Sequence, residues 1–396
     1  MNNFNETIIS RGTVNVIVKE ELIKKLESKK KLRIKLGIDP TGSMLHLGHA
    51  VVLRKLKQFQ NRGDNVILLI GDYTARIGDP TGKSESRVML TEDQIKKNME
   101  TYIKQASKIL NIDKLEIRHN SEWFTKMNMA DLLTLTAKKT VSQMLQREDF
   151  KNRTKNNQDI AITEFLYPLM QGYDSVMLKS DIELGGTDQL FNMLVGRDLQ
   201  KDYEEKTIQD VITVPILEGI DGVEKMSKSL NNYIGLTESA KEMFGKTMSI
   251  KDEMIVKFFE LATEVEDDEI EKIKKALKEG ENPRNLKIKL AKEIVTLYHS
   301  KKDADDAEKE FIEIFSNKGI PEDIEIKKIK ESKLNIIDLL VQTNLLTSKT
   351  ESRKMIEQGA VKIDNEKIQS FELEIDLTKE KLIQIGKRKF LKVIKG

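Results

Sequence analysis

The chain has 396 residues, of which 38% are hydrophobic and 33% charged, with 67 Lys and Arg against 65 Asp and Glu, and no Cys. That length accommodates two or three domains with separate cores. The charge balance excludes a global basic field, so a polyanion partner must be held by local patches. The absence of Cys excludes structural disulfides and thiolate zinc sites. The longest apolar runs, such as Val66 to Ile70, are far too short to span a bilayer. The opening residues lack the basic-then-apolar pattern of a signal peptide, so a cytoplasmic protein with no membrane partner is expected.

In chain order, Leu32 to Ile38 reads as a strand ending at Asp39-Pro40-Thr41-Gly42. A helix follows from Leu47 to about Gln60, with Leu47, Val51, Leu53, Leu56 and Phe59 at helical spacing and Gly63 as its stop. Its first turn carries His46-Leu47-Gly48-His49. Unpaired N–H groups and the helix dipole make such a junction attractive to anions. His46 and His49, three apart, share one face of the turn. Gly48 lets a nucleotide ring approach the backbone. An isolated pair of this kind is as readily a surface feature or a metal site, but no acidic third ligand follows at zinc spacing, so no metal is assigned. His119 and His299 stand alone and read as structural or solvent-facing.

Asn65 to Ile70 is a continuous apolar run, as expected of a strand covered on both faces of a parallel sheet. Gly78-Asp79-Pro80-Thr81-Gly82-Lys83-Ser84 suggests a P-loop, yet three residues separate its glycines where a Walker A loop has about four. A P-loop NTPase is therefore rejected. Further on, Tyr167, Gln171 and Asp174 fall at i, i+4 and i+7, on one face of a helix. A phenol, an amide and a carboxylate facing inward are costly in a core unless they bind something; the alternative is an exposed polar face. Strands are expected at Ser180 to Leu184, before Gly185-Gly186, and at Val211 to Leu217. This alternation from Leu32 to Asn232 predicts an α/β fold with a doubly wound parallel sheet. After the last strand, Lys225-Met226-Ser227-Lys228-Ser229 forms a loop that can place two charges and two hydroxyls around a polyphosphate.

From about Thr247 to Asn317 Lys/Glu-rich helices take over, divided at Gly280-Glu281-Asn282-Pro283, and 318–332 suits a linker. The final segment, 333–396, is small and mixed α+β. A helix stopped by Gly359 carries Arg353 and Lys354 near its middle, and Lys387, Arg388 and Lys389 form a second basic cluster. From Glu331 to Gly396 there are 13 Lys and Arg against 10 Asp and Glu. On charge alone a solvated surface and an RNA site are equally open.

The segments at 46–49 and 225–229 resemble the two signatures of class I aminoacyl-tRNA synthetases. The run from Phe165 to Asp174, Gly185-Gly186-Thr187-Asp188-Gln189 and Gly78 to Ser84 are similar to the bacterial tyrosyl members of that family. The resemblance implies a Rossmann-like catalytic domain over 1–232, an α-helical anticodon-side domain over 233–317, and a ribosomal-protein-type RNA-binding domain over 333–396. It implies that tyrosine is activated by ATP with Mg²⁺, with no tightly bound metal, and passed to tRNA(Tyr) by a homodimer. Thr41, His46, His49, Lys225 and Lys228 would stabilise the reacting phosphates. Asp39, Gly48, Gly185, Asp188, Met226, Ser227, Lys228 and Ser229 would hold ATP. Asp79, Tyr167, Gln171 and Gln189 would surround the ammonium end of tyrosine, and Asp174 would accept from its phenol. Arg353, Lys354, Lys387 and Arg388 would grip RNA. Where many members have Tyr at the end of the first strand, this chain has Lys35, as a subgroup does; it would donate to the phenol oxygen or pair with Asp174. A synthetase for tryptophan and a non-catalytic RNA-binding paralogue are the alternatives.

Overall fold

The computed structural model describes residues 3–28, 30–40, 42, 44–78, 91–316, 324–364, 366–386 and 389–396. They form two compact units, Met1–Ala304 and Asp305–Gly396.

The first unit is built on a six-stranded sheet: β1 (Asn15–Ile17), β2 (Arg33–Ile38), β3 (Asn65–Ile70), β4 (Leu115–His119), β5 (Ile182–Gly186) and β6 (Asp210–Val214). Their spatial order is β1-β6-β5-β2-β3-β4. All neighbours are parallel except β1, which runs antiparallel on the edge of β6. From β2 the chain winds outward through β3 to β4, then returns to place β5 on the other side of β2. Ligands of open α/β sheets bind outside the carboxyl ends of the strands at such a reversal, here between β2 and β5. The apolar run Val66 to Ile70 is wholly buried in β3, each side chain contributing about 1.5–3 kcal/mol of burial. Ile67 and Leu69 pack with Trp123, Phe124, Met170 and Leu178 on one side of the sheet.

The helix expected after β2 spans Leu47–Arg62, and Gly63 caps it in the left-handed region at φ 91°, a conformation glycine adopts without a Cβ penalty. The pocket helix is Ile162–Leu178. The segment expected as a separate helical domain contributes Ala240–Met248, Ile255–Ala262, Asp267–Lys278 and Pro283–Tyr298. The second of these packs against Leu47–Arg62, so these helices belong to the same compact unit as the sheet. Pro283 opens the last of them at a position where no N–H is needed.

The second unit holds a five-stranded sheet of order β10-β9-β12-β13-β7, from β7 (Ile326–Ile329), β9 (Val361–Ile363), β10 (Glu366–Lys367), β12 (Lys381–Ile385) and β13 (Lys389–Lys395). A small ribbon pairs β8 (Lys333–Asn335) with β11 (Glu374–Asp376). The expected linker 318–332 is corrected here: β7 lies inside it and pairs in parallel with β13. Its short Ile-Lys-Lys-Ile pattern is masked by surrounding charge, and only pairing with a strand far along the chain makes it a strand.

Candidate active site

Asp39 follows directly on β2, the helix Leu47–Arg62 begins beyond it, and β5 leads through Gly185 and Gly186 into the turn Thr187–Gln189. A cavity of about 300 Å³ lies at this junction, lined among others by Lys35, Asp39, Tyr167, Gln171, Asp174 and Gln189. A second, of about 410 Å³, is lined by His46, Gly48, Met226, Ser227 and Lys228. The two share His49, Val52, Asp188, Gln189 and Lys225 as walls.

In the first cavity, the pocket helix presents Tyr167, Gln171 and Asp174 inward. The Tyr167 hydroxyl donates to Asp39 (2.8 Å), whose other oxygen accepts from Thr74 (2.9 Å). A Cβ at Gly71 would fall 1.9 Å from that oxygen, so residue 71 must lack a side chain for Asp39 to sit there. Asp174 is buried and accepts from the Trp123 indole N–H (3.0 Å) and more distantly from Asn120 (3.4 Å). Burial pushes its carboxyl up from the ordinary 3.8 to about 8, with Lys35, Asn120 and Trp123 pulling it back and Asp39 adding repulsion. Asn120 also accepts from the Tyr73 N–H and donates to Thr74.

Lys35 is fully buried. Its ion-pair partner is not Asp174, as one expectation had it, but Glu183 (3.0 Å), directly opposite in the parallel β2–β5 register. The ammonium also donates to the Gln171 carbonyl (2.9 Å) and to the Ser175 hydroxyl (2.8 Å). An ammonium has three protons, and these three partners take them. Glu183 also accepts from the side chains of Gln171, Ser175 and Gln209. Asn192 donates to the Gln171 amide oxygen (2.8 Å), which fixes that amide's orientation.

In the second cavity the two imidazoles stack obliquely, ring centroids 3.9 Å apart, and the backbone N–H of His46 donates to His49 Nδ1 (3.3 Å). Burial first, then repulsion from His49 and Lys228, lowers His46 to about 2. Burial first, then Lys228 and Lys225, lowers His49 to about 4. Both rings are therefore neutral at pH 7. His46 Nδ1 is buried without a hydrogen-bond partner among the described residues. At Gly48 a Cβ would lie 3.0 Å from His46 Nδ1 and 3.6 Å from Met226 Cβ. The first signature pairs by backbone with the segment that follows the second, Leu47 N–H donating to Ile234 and Leu236 N–H to Leu45. Lys225 lies 4.0 Å from Asp188, and burial lowers Lys228.

Several expected residues stand apart. Gly185 is buried behind Gln189 and Met193, and Gly186 lines the second cavity instead. Ser229 is exposed and lines neither cavity. Arg353 and Lys354 are exposed on the helix Lys349–Glu357 of the second unit. Thr41, Asp79, Lys387 and Arg388 lie outside the described residues. His119 approaches Asp72 (3.5 Å) and His299 the Glu238 carbonyl (2.9 Å). The sequence reading missed Thr74, Asn120, Trp123 and Glu183; only the polar Asn120 beside the lone Trp gave any local signal.

A largely parallel sheet with adjoining cavities at its switch point, one ending on a buried carboxylate and one bordered by lysines, fits a nucleotide-dependent acyl-activating class of site. Residues 27–316 match the family model described as tRNA synthetases class I (W and Y). Residues 315–393 match the tyrosine–tRNA ligase SYY-like C-terminal domain. A tyrosine–tRNA ligase of Francisella tularensis is 50% identical over all of both chains. That of Thermotoga maritima is 47% identical over 98% of this chain and 97% of its own. In fold, the chain is similar to a C-terminally truncated Aspergillus nidulans mitochondrial tyrosyl-tRNA synthetase, with TM-score 0.65, 24% identity, and coverage of 80% of this chain and 95% of that one. The chain belongs to the tyrosine–tRNA ligase family of class I aminoacyl-tRNA synthetases.

Proposed function

We propose that, in the tyrosine–tRNA ligase reaction, the first cavity holds tyrosine and the second holds ATP, so that the substrate carboxylate meets the α-phosphate at their shared wall. The observation that carries this reading is the shared wall itself: His49, Asp188, Gln189 and Lys225 border both cavities. The phenol reaches Asp174 at the closed end, and the ammonium group lies toward Tyr167, Gln171 and Gln189, with Asp79 as its counter-charge by family resemblance. Hydrogen-bonded recognition of a hydroxyl leaves buried groups unpaired when phenylalanine enters; for a tyrosyl-tRNA synthetase the general magnitude is about 10⁵ in discrimination.

The carboxylate attacks the α-phosphate in line and pyrophosphate leaves, so positioning and charge stabilisation supply the catalysis. Neutral His46 and His49 donate to phosphate oxygens together with Thr41, and Lys225 and Lys228 neutralise the leaving pyrophosphate. Gly48, Asp188, Met226 and Ser227 border the nucleotide, with Gly185 and Ser229 behind this first layer, while Asp39, expected beside ATP, borders the tyrosine cavity instead. Mg²⁺ enters with the triphosphate as part of the substrate. The adenylate then gives its acyl group to the terminal ribose of tRNA, held by Arg353, Lys354, Lys387 and Arg388, while the helices of 233–317 face the anticodon side. Assembly as a homodimer is part of this reading, and Met129, Leu133, Val141 and Ile162 are among the large apolar side chains exposed on the described residues. The Cys-free composition supports a cytoplasmic location. No described helix is long and apolar enough to cross a membrane.

Pyrophosphate exchange measured with tyrosine, tryptophan and phenylalanine tests the reading. Exchange is expected with tyrosine alone and is expected to collapse in Lys228→Ala. A wild-type rate in that variant would refute the role of the lysine loop.

A further inference from the structure

The lysine loop is exposed over much of its length, yet one side chain at its end is buried: Asn232 is 3% exposed. Its amide oxygen accepts from the Ser227 N–H (2.8 Å). Its amide nitrogen donates to Asp221 (2.6 Å) and faces the carbonyls of Lys225 (3.2 Å) and Glu224 (3.4 Å). Its own carbonyl accepts from the Ile220 N–H (2.9 Å). Asp221 in turn accepts from the N–H groups of Val223 (2.9 Å) and Glu224 (3.1 Å). One amide thus holds the backbone on both sides of Met226, adjacent to Lys225 and Lys228.

Gly219 carries an independent sign of the same arrangement. A Cβ there would fall 2.3 Å from both Cγ and Nδ2 of Asn232, and 2.4 Å from its carbonyl oxygen. Residue 219 must lack a side chain for the amide to reach the loop. Gly219 also closes the base of the loop, its N–H donating to Glu224 (2.9 Å), while Met226 donates to Leu217 (3.2 Å).

We propose that Asn232, seated against Gly219 and paired with Asp221, is a positioning residue for the adenylation step: it fixes the backbone around Met226 so that Lys225 and Lys228 stand over the nucleotide cavity. The inference rests on the assignment of those lysines to the leaving pyrophosphate. Long lysine side chains aim correctly only if the backbone that carries them is held, and a misplacement of about 1 Å can cost about 100-fold in rate. Neither Asn232 nor Asp221 borders the tyrosine cavity, so the effect falls on turnover and not on tyrosine binding.

The test compares Asn232→Ala, Gly219→Ala, Asn232→Asp, the double variant Asn232→Asp/Asp221→Asn, and Lys228→Ala in tyrosine-dependent pyrophosphate exchange, with tyrosine affinity measured by equilibrium dialysis. Asn232→Ala and Gly219→Ala are expected to lower kcat about 10- to 100-fold with tyrosine affinity unchanged. Asn232→Asp keeps the acceptor for Ser227 but sets a carboxylate against Asp221, and is expected to match the alanine variant. The double variant reverses donor and acceptor and is expected to recover part of kcat. Loss in Lys228→Ala with normal turnover in Asn232→Ala would overturn this proposal alone. Normal turnover in Lys228→Ala would overturn the lysine-loop reading beneath it. Equal loss of tyrosine affinity in Asn232→Ala, or no recovery in the double variant, would make Asn232 a merely structural residue.

Discussion

Replacing Lys35 by Met removes the cation from the centre of the sheet while nearly preserving side-chain length. Glu183, itself 1% exposed, then keeps its three neutral donors from Gln171, Ser175 and Gln209 but loses its counter-charge. Removing one member of a buried pair costs about 3–5 kcal/mol. The remaining donors place the expected loss near the lower end, at about 3 kcal/mol, a large part of a total stability of about 5–15 kcal/mol. Urea unfolding followed by circular dichroism measures it as a fall in midpoint at constant slope. Lys35→Met/Glu183→Gln, which removes both charges, is expected to regain most of the loss. Because the ammonium's protons are already taken by Glu183, Ser175 and the Gln171 carbonyl, the preference for tyrosine over phenylalanine in kcat/KM is expected to persist in the folded variant. A stability loss under about 1 kcal/mol, or collapse of that preference, would refute the reasoning and make Lys35 a phenol donor.

Asp174, raised to about 8, binds its proton more tightly folded than unfolded. Its contribution to stability is thus full below about pH 4 and is lost as pH rises toward 8; Asp174→Asn is expected to flatten the stability profile across that window. In the same variant the rise of kcat/KM for tyrosine through pH 8, expected when an ionised carboxylate accepts from the phenol, should disappear; its persistence would place the titration elsewhere. His46 and His49 act oppositely, since their folded values are lowered. Their contribution is present above about pH 6.5 and is lost as pH falls toward 4, and His49→Asn is expected to reduce that acid destabilisation. Gly71→Ala would drive a methyl into Asp39 and is expected to raise the KM for tyrosine or ATP at least about 10-fold, with wild-type KM values counting against the Asp39–Thr74 contact.

Much of the candidate site is legible along the chain because its causes are local. The helix Leu47–Arg62 starts at the paired histidines and ends at Gly63 in the left-handed region. β3 coincides with the apolar run Asn65 to Ile70. The i, i+4, i+7 spacing of Tyr167, Gln171 and Asp174 turns all three toward one cavity. Other elements leave no such trace. β1 is three residues on a sheet edge, and β4 alternates Leu115 and Ile117 with the charged Glu116 and Arg118, so neither has enough apolar pattern to stand out. The strand Ile182–Gly186 was recognisable, but nothing nearby marks Glu183 as the partner of a buried lysine.

The amino-acid sequence by itself determined the local elements and the segments at 46–49 and 225–229, because helix caps, glycine stops and hydrophobic period depend on neighbours within a turn or a strand. Tertiary structure decided how the charges are used. Whether Lys35 faces the phenol or Glu183 depends on the register of β2 against β5. Whether Asp174 is held by Trp123 depends on where the segment after β4 returns. Whether Asn232 secures the lysine loop depends on Gly219 leaving room for it. Burial makes these choices strict, since a charge or amide out of water must find a partner, and the partner is set by packing between segments remote in the chain.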